Sequence, residues 1–125
     1  MLTAVAEDAR LNEHPVAQVE RRAEAVVVHL VGELDLYNAD DLRGTLLELC
    51  EEAPERVVID LGEVDFVDST ALGVLIETRA RLGNRSALLL AAPAFETHRA
   101  LQISGLDRHL AVHETVEAAL AAPVA

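Results

Sequence analysis

The stretch VDFVDSTALGVL, which runs from Val64 to Leu75, is where the apolar periodicity of the sequence changes. Before it stands the apolar run Val57–Leu61, which is typical of a strand buried on both faces of a sheet. Beyond Asp68 the apolar residues recur at helical spacing, and this pattern predicts a helix that begins near Ser69. Asp68 or Ser69 is expected to cap this helix, because a short side-chain oxygen can accept an otherwise unpaired backbone N–H.

Strands and helices alternate on both sides of this stretch. An alternating segment at 15–20 and a β-branched run at 25–31 predict a hairpin, and the segment Gly32–Asp35 is expected to end its second strand. Asn38 is a suitable N-cap for a helix that extends to about Ala53. Further strands are predicted at 56–61, 86–91 and 110–112, and further helices at 69–82, 93–104 and 114–121.

This alternation predicts the fold class. Right-handed crossovers between neighbouring strands give an α/β domain whose mixed, mostly parallel sheet has four or five strands, with about four helices packed on it. At 125 residues the chain is long enough for one domain with a core of its own. We assign residues 1–15 to an N-terminal extension, 16–121 to the domain and 122–125 to a C-terminal tail.

The chain is strongly acidic. Its formal net charge is −12, from 22 acidic side chains and 10 arginines, and it contains no lysine. Such a charge disfavours binding to nucleic acid or to an anionic membrane, and it favours basic protein partners. The first fifteen residues lack the pattern of a signal peptide, and the single cysteine, Cys50, fits a reducing compartment. We therefore expect a cytoplasmic protein.

Sequence patterns for catalysis and for bound metals are missing. No Gly-x-x-x-x-Gly-Lys loop, Cys-x-x-Cys pair or His-Glu-x-x-His motif occurs. His109 and His113 lie four residues apart but lack a third ligand. A nucleophilic Ser69 would need a nearby base, and the histidines are remote from it in sequence. We expect no cofactor, no metal and no enzymatic activity.

The hydroxyl groups of Ser69 and Thr70 come at the start of the predicted helix. Capping alone is one explanation of them, since Ser and Thr often precede helices. A site of modification or binding is the other, because the small side chains of Ala71 and Val74 are expected on the exposed face beside them. In this interpretation the larger apolar residues of the helix, including Ile76, point inward.

Two motifs resemble those of the STAS domains, the anti-sigma factor antagonists. One is DSTALGVL at 68–75 and the other is GELD at 32–35, and the similarity extends from about Val16 to Leu120. The resemblance implies that Ser69 is phosphorylated, with Thr70 as the alternative acceptor. Together with the helical spacing it predicts a partner-binding surface formed by Glu33, Asp35, Asp68, Ala71 and Val74.

The resemblance implies a partner-switching regulator with no catalysis of its own. Unphosphorylated, such a protein binds an anti-sigma factor that is also a serine kinase; phosphorylated, it releases this partner, and a phosphatase resets it. ATP and Mg²⁺ belong to the kinase, and we expect this chain to be a monomer or a weak dimer. Two alternatives remain open: a non-catalytic STAS subunit of a stressosome-like assembly or lipid transporter, and an enzyme that uses Ser69.

Overall fold

A computed structural model of the chain describes residues 14–83 and 87–123. Its strands and helices follow the predicted order, and we number them along the chain. The strands are β1 (Val16–Arg21), β2 (Ala25–Leu34), β3 (Arg56–Val67), β4 (Ala87–Ala91) and β5 (Ala111–His113). The helices are α1 (Ala39–Glu51), α2 (Ser69–Leu82), α3 (Phe95–Ser104) and α4 (Val116–Ala121), with a short 3₁₀ helix at Leu106–Arg108.

The strands form a five-stranded sheet whose order follows the chain, β1-β2-β3-β4-β5. β1 is antiparallel to β2, and the remaining neighbours are parallel to each other. A tight turn joins the antiparallel pair, whereas each parallel pair needs a crossover that returns the chain to the same end of the sheet. The predicted α/β fold with a mixed, mostly parallel sheet is confirmed, and the described residues contain four α-helices.

The two faces of the sheet carry cores of different size. In β2, Val26, Val28 and Leu30 belong to the larger core, and Val27 belongs to the smaller one. Helices α1, α2 and α3 cover the larger core, and α4 covers the smaller one through Ala119. Three helices share one face because successive crossovers of the same hand advance across the sheet in one direction.

β2 and β3 extend further than the sequence predicts. Their apolar patterns indicate that β2 ends before Gly32 and β3 at Leu61, whereas the strands continue to Leu34 and Val67. β4 pairs with β3 only as far as Asp60, so the outer ends of β2 and β3 pair with each other alone. Shifts of register interrupt this pairing, which breaks the alternation of apolar residues that marks a strand in sequence. The two strands thus end side by side.

The predicted terminal segments fall mostly beyond the described residues. Only His14 and Pro15 of the N-terminal extension are described, and the last two residues of the tail lie outside as well. In the described part of the chain, no helix combines the length and the apolar character needed to cross a bilayer.

Candidate functional site

Asp68 joins the two loops that follow β2 and β3. Its Oδ1 accepts a hydrogen bond from the backbone N–H of Ala71 at 3.0 Å, which caps α2. Its Oδ2 accepts from the backbone N–H of Leu36 at 3.1 Å, and its own N–H donates to the carbonyl of Leu34 at 2.9 Å. These bonds place the end of the segment Gly32–Asp35 beside Asp68, the residue that precedes Ser69.

The loop between β2 and α1 is held by its own side chains. Asn38 accepts a hydrogen bond from the backbone N–H of Asp35 at 3.0 Å and donates to the carbonyl of Glu33 at 2.7 Å. Asp35 in turn accepts from the backbone N–H of Tyr37 at 2.9 Å. Asn38 precedes α1 as predicted, but its side chain makes no capping bond because the loop uses it instead. These contacts hold Leu36 and Tyr37 out toward solvent.

Ser69 and Thr70 are the first two residues of α2, and both are exposed. Neither hydroxyl is hydrogen-bonded within the described residues, because Asp68 supplies the side-chain cap. Capping therefore does not account for the two hydroxyls. Ser69 presents an accessible oxygen at the N-terminal end of a helix, where the backbone dipole favours negative charge.

The predicted exposure of Ala71 and Val74 is wrong. Ala71 is fully buried and Val74 is 7% exposed, whereas Ile76, expected to point inward, is 53% exposed. The predicted orientation holds for a helix that packs on the sheet alone, but α1 lies alongside α2 and a second stripe of α2 is buried. An ion pair between Arg43 of α1 and Glu77 of α2, with Nε and Oε1 2.7 Å apart, marks this contact.

An exposed stripe of α2 continues from Ser69 in a different direction from the one predicted. Ser69, Gly73 and Ile76 are all exposed, and their spacing places them on one side of the helix. Beside the start of this stripe stand Leu36, 62% exposed, and Tyr37, 85% exposed. We call these five residues the switch surface. Sequence reasoning missed four of them, although two adjacent apolar residues in a polar loop were a signal for Leu36 and Tyr37.

Acidic side chains surround the switch surface. Glu33 is exposed, and Asp35 and Asp68 are half-buried with carboxylate oxygens engaged by backbone N–H groups. The described part of the chain contains no group of three His, Cys, Asp or Glu residues placed to hold a metal ion. The site can therefore offer a partner a hydroxyl group and an apolar surface, with carboxylate groups beside them.

A separate titratable cluster links β1, β2 and β3 away from this site. The ring nitrogens of His29 lie 2.6 Å from Oδ2 of Asp60 and 2.9 Å from Oε1 of Glu20. Burial lowers the pKa of His29, but the hydrogen bonds and charges of the two carboxylates outweigh it, and the pKa is raised. Glu20 is also bonded to Arg22, and its hydrogen bonds to His29 and Arg22 lower its pKa.

Comparison with known proteins identifies the family. The family model of the STAS domain matches residues 16–119. The chain belongs to the STAS domain family. Among its relatives, this STAS domain is 31% identical over 94 residues to the anti-sigma-F factor antagonist RsfB of Mycobacterium tuberculosis, an alignment that covers 75% of the chain and 77% of RsfB. It is 31% identical over 91 residues to the anti-sigma-B factor antagonist of Staphylococcus epidermidis, covering 72% of the chain and 84% of that protein.

Solved structures support the same assignment. The crystal structure of an anti-sigma factor antagonist from Mycobacterium paratuberculosis is similar to this STAS domain with a TM-score of 0.78 at 30% identity, covering 82% of the chain and 88% of that protein. Both sequence and fold thus place the chain among the anti-sigma factor antagonists. Anti-sigma factor antagonists are non-catalytic regulators.

Proposed function

We propose that this STAS domain binds an anti-sigma factor while Ser69 is unphosphorylated and releases it once Ser69 is phosphorylated. The observation that carries the proposal is the exposed, unbonded hydroxyl of Ser69 at the start of α2, bordered by exposed apolar side chains. The names of the relatives, anti-sigma factor antagonists, support the choice of partner.

Binding of the unphosphorylated form rests on the apolar part of the switch surface. Leu36, Tyr37 and Ile76 are more than half exposed. Burying a large apolar side chain in an interface contributes about 1.5–3 kcal/mol. Gly73 lies between Ser69 and Ile76 on the helix and has open space where a side chain would stand, so a partner can approach the helix backbone closely there.

Phosphorylation acts on the interface and leaves the fold in place. A phosphate on Ser69 carries about −1.5 to −2 charges, and the helix terminus offsets only about 0.3–1 kcal/mol of the cost of burying it. The neighbouring Glu33, Asp35 and Asp68 repel it, and three of the described arginines, Arg21, Arg22 and Arg43, are engaged in ion pairs with other glutamates. If burying the phosphate at the interface costs about 4 kcal/mol of binding free energy, the affinity for the partner falls about a thousandfold.

The partner supplies the chemistry in this mechanism. An anti-sigma factor with serine kinase activity brings ATP and Mg²⁺ to Ser69, and a phosphatase removes the phosphate and restores binding. This STAS domain is substrate and ligand, in the cytoplasm, and acts as a monomer or weak dimer. Thr70 is exposed next to Ser69 and is the alternative acceptor.

The test uses the anti-sigma factor that immobilised wild type retains, identified by mass spectrometry and then purified. Binding of wild type, Ser69→Ala, Ser69→Asp and Thr70→Ala is measured with and without ATP. We expect ATP to release wild type and Thr70→Ala, Ser69→Ala to stay bound, and Ser69→Asp to bind poorly. Release of Ser69→Ala by ATP would contradict the assignment, and resistance of Thr70→Ala alone would move the acceptor to Thr70.

A further inference from the structure

A groove between the end of β3 and α3 is not used by the switch surface. Its volume is about 220 Å³. Phe66 and Ile103 form apolar walls, and Asp65 and Glu96 stand at its rim. Thr97 lies buried at the base, where its hydroxyl lies 3.5 Å from the carbonyl of Val64. We call this the β3–α3 groove.

The apolar walls of the groove are unusually open to solvent. Phe66 is 52% exposed and Ile103 is 77% exposed. Single exposed apolar residues are common on proteins, but apolar groups that share a concave surface mark a binding site. The groove has room for one large side chain, which both walls would contact.

Charge at the rim indicates what kind of segment fits. Asp65 and Glu96 are exposed, and neither forms an ion pair with any other described residue. Arg99 also lines the groove, one turn of α3 beyond Glu96, so the rim keeps a net negative charge. The chain as a whole carries −12, which adds a field that attracts cations. Arginine or lysine beside the apolar anchor complements this rim.

The groove lies close to the switch surface, because Phe66 pairs across the sheet with Glu33, which borders that surface. Phe66 lies three residues before Ser69, on the strand whose end is fixed by Asp68. A protein that covers Ser69 therefore reaches the groove without a long connection. This proximity favours one partner across both surfaces over two separate partners.

We propose that the β3–α3 groove binds a segment of the anti-sigma partner in which a large apolar side chain is flanked by arginine or lysine. The apolar side chain lies between Phe66 and Ile103, and the cation faces Asp65 and Glu96. The identity of the partner rests on the proposed function above. Since this contact does not involve Ser69, phosphorylation should leave it in place, and we expect the phosphorylated form to keep a residual affinity for the partner.

The first test examines the groove without the partner. The probe is the synthetic peptide acetyl-Gly-Arg-Leu-Leu-Arg-Gly-amide, and its control has glutamate in place of both arginines. Titration into labelled protein is followed by amide chemical shifts. We expect shifts at Asp65–Val67 and Glu96–Ile103 with the arginine peptide and none with the glutamate peptide. Equal effects of both peptides, or no shifts at millimolar peptide, overturn the proposal.

The second test uses the purified anti-sigma factor and two matched variants of α3. Ile103→Gln removes a wall of the groove, while Phe95→Gln removes a side chain of similar exposure, 75%, that does not line it. We expect Ile103→Gln to weaken binding of the unphosphorylated form about tenfold and Phe95→Gln to leave it unchanged. Equal affinity of Ile103→Gln and wild type overturns the groove as part of this interface.

These outcomes are distinguishable from failure of the proposed function. If wild type binds no anti-sigma factor, or if ATP does not release it, the switch at Ser69 is wrong whatever the peptide does. If wild type binds and is released, while Ile103→Gln behaves as wild type, the switch stands and the groove proposal falls. The double variant Asp65→Asn with Glu96→Gln should reduce the salt dependence of binding, and an unchanged salt dependence contradicts the assigned role of the rim.

Discussion

At the scale of single residues, Asp68 holds the site together. One carboxylate oxygen caps α2 and the other binds the loop after β2, so the position of Ser69 relative to Leu36 depends on this side chain. Sequence reasoning narrowed the cap to Asp68 or Ser69, because short polar residues before a helical period are a local signal, and the structure selects Asp68. The bond to Leu36 spans 32 residues, and no local pattern reveals a contact of that kind.

We predict that Asp68→Ala lowers the free energy of unfolding by about 1–2 kcal/mol, through loss of the cap and of an acceptor for the Leu36 N–H. Urea titration measures this directly. Asp65→Ala is the control, since Asp65 is exposed and unbonded, and its effect should stay within about 0.5 kcal/mol. Equal effects of the two substitutions would show that Asp68 has no structural role.

His29 provides a prediction on pH. Its pKa in the folded protein is raised above the ordinary value of 6.5, so its charged form stabilises the fold below that pH, and this contribution is lost as pH rises through the folded pKa. Glu20 acts at lower pH: its pKa is lowered below 4.5, so its contribution is lost only as pH falls through that range.

The free energy of unfolding of wild type should therefore decrease as the pH rises above about 6.5 and through the raised pKa of His29. Urea titrations at a series of pH values measure it. In His29→Gln the decrease should be smaller, whereas His98→Gln, a change at an exposed position on α3, should leave it as in wild type. An identical pH dependence in wild type and His29→Gln would contradict the stabilising role of the cluster.

At the scale of elements, α2 shows where sequence patterns stop being sufficient. Its start and length follow from periodicity, but its orientation depends on two neighbours, the sheet and α1. The side of α2 toward α1 carries small residues, Ala71, Val74 and Thr78, which are buried. When only the sheet is considered as a neighbour of the helix, the helical periodicity assigns these small residues to the surface. The outer pairing of β2 with β3 was missed for the same reason, since it exists only once both strands are in the sheet.

The corrected orientation predicts opposite effects for two substitutions on α2. Val74→Ala should lower the free energy of unfolding by about 2 kcal/mol, because it leaves a cavity between α1 and α2. Ile76→Arg should change stability by no more than about 0.5 kcal/mol and weaken binding of the anti-sigma factor at least about tenfold. Urea denaturation measures the free energy of unfolding of both variants, and titration calorimetry measures their affinity for the anti-sigma factor. A stable Val74→Ala together with an unstable Ile76→Arg would favour the orientation of α2 predicted from sequence, with Val74 exposed and Ile76 buried.

At the scale of the whole molecule, the fold should tolerate the phosphate. Ser69 is exposed and has no hydrogen bond to lose within the described residues, and it begins a helix whose dipole favours the added charge. We predict that phosphorylation of Ser69 changes the free energy of unfolding by less than about 1 kcal/mol. Thermal unfolding of the two forms at equal salt measures this. A large loss of stability would mean that release of the partner comes from unfolding of the domain.

The order of the sheet has a consequence for how the chain folds. Each strand pairs only with the strands just before and after it in sequence, so no strand has to enter between two that are already paired. Contacts between strands therefore have short sequence separation for a mostly parallel sheet, and loop closure opposes their formation less. The sheet can grow strand by strand from the N-terminal hairpin, in the direction in which a ribosome delivers the chain. The short edge strand β5 is added late, and helix α4, which covers the smaller core through Ala119, is added last.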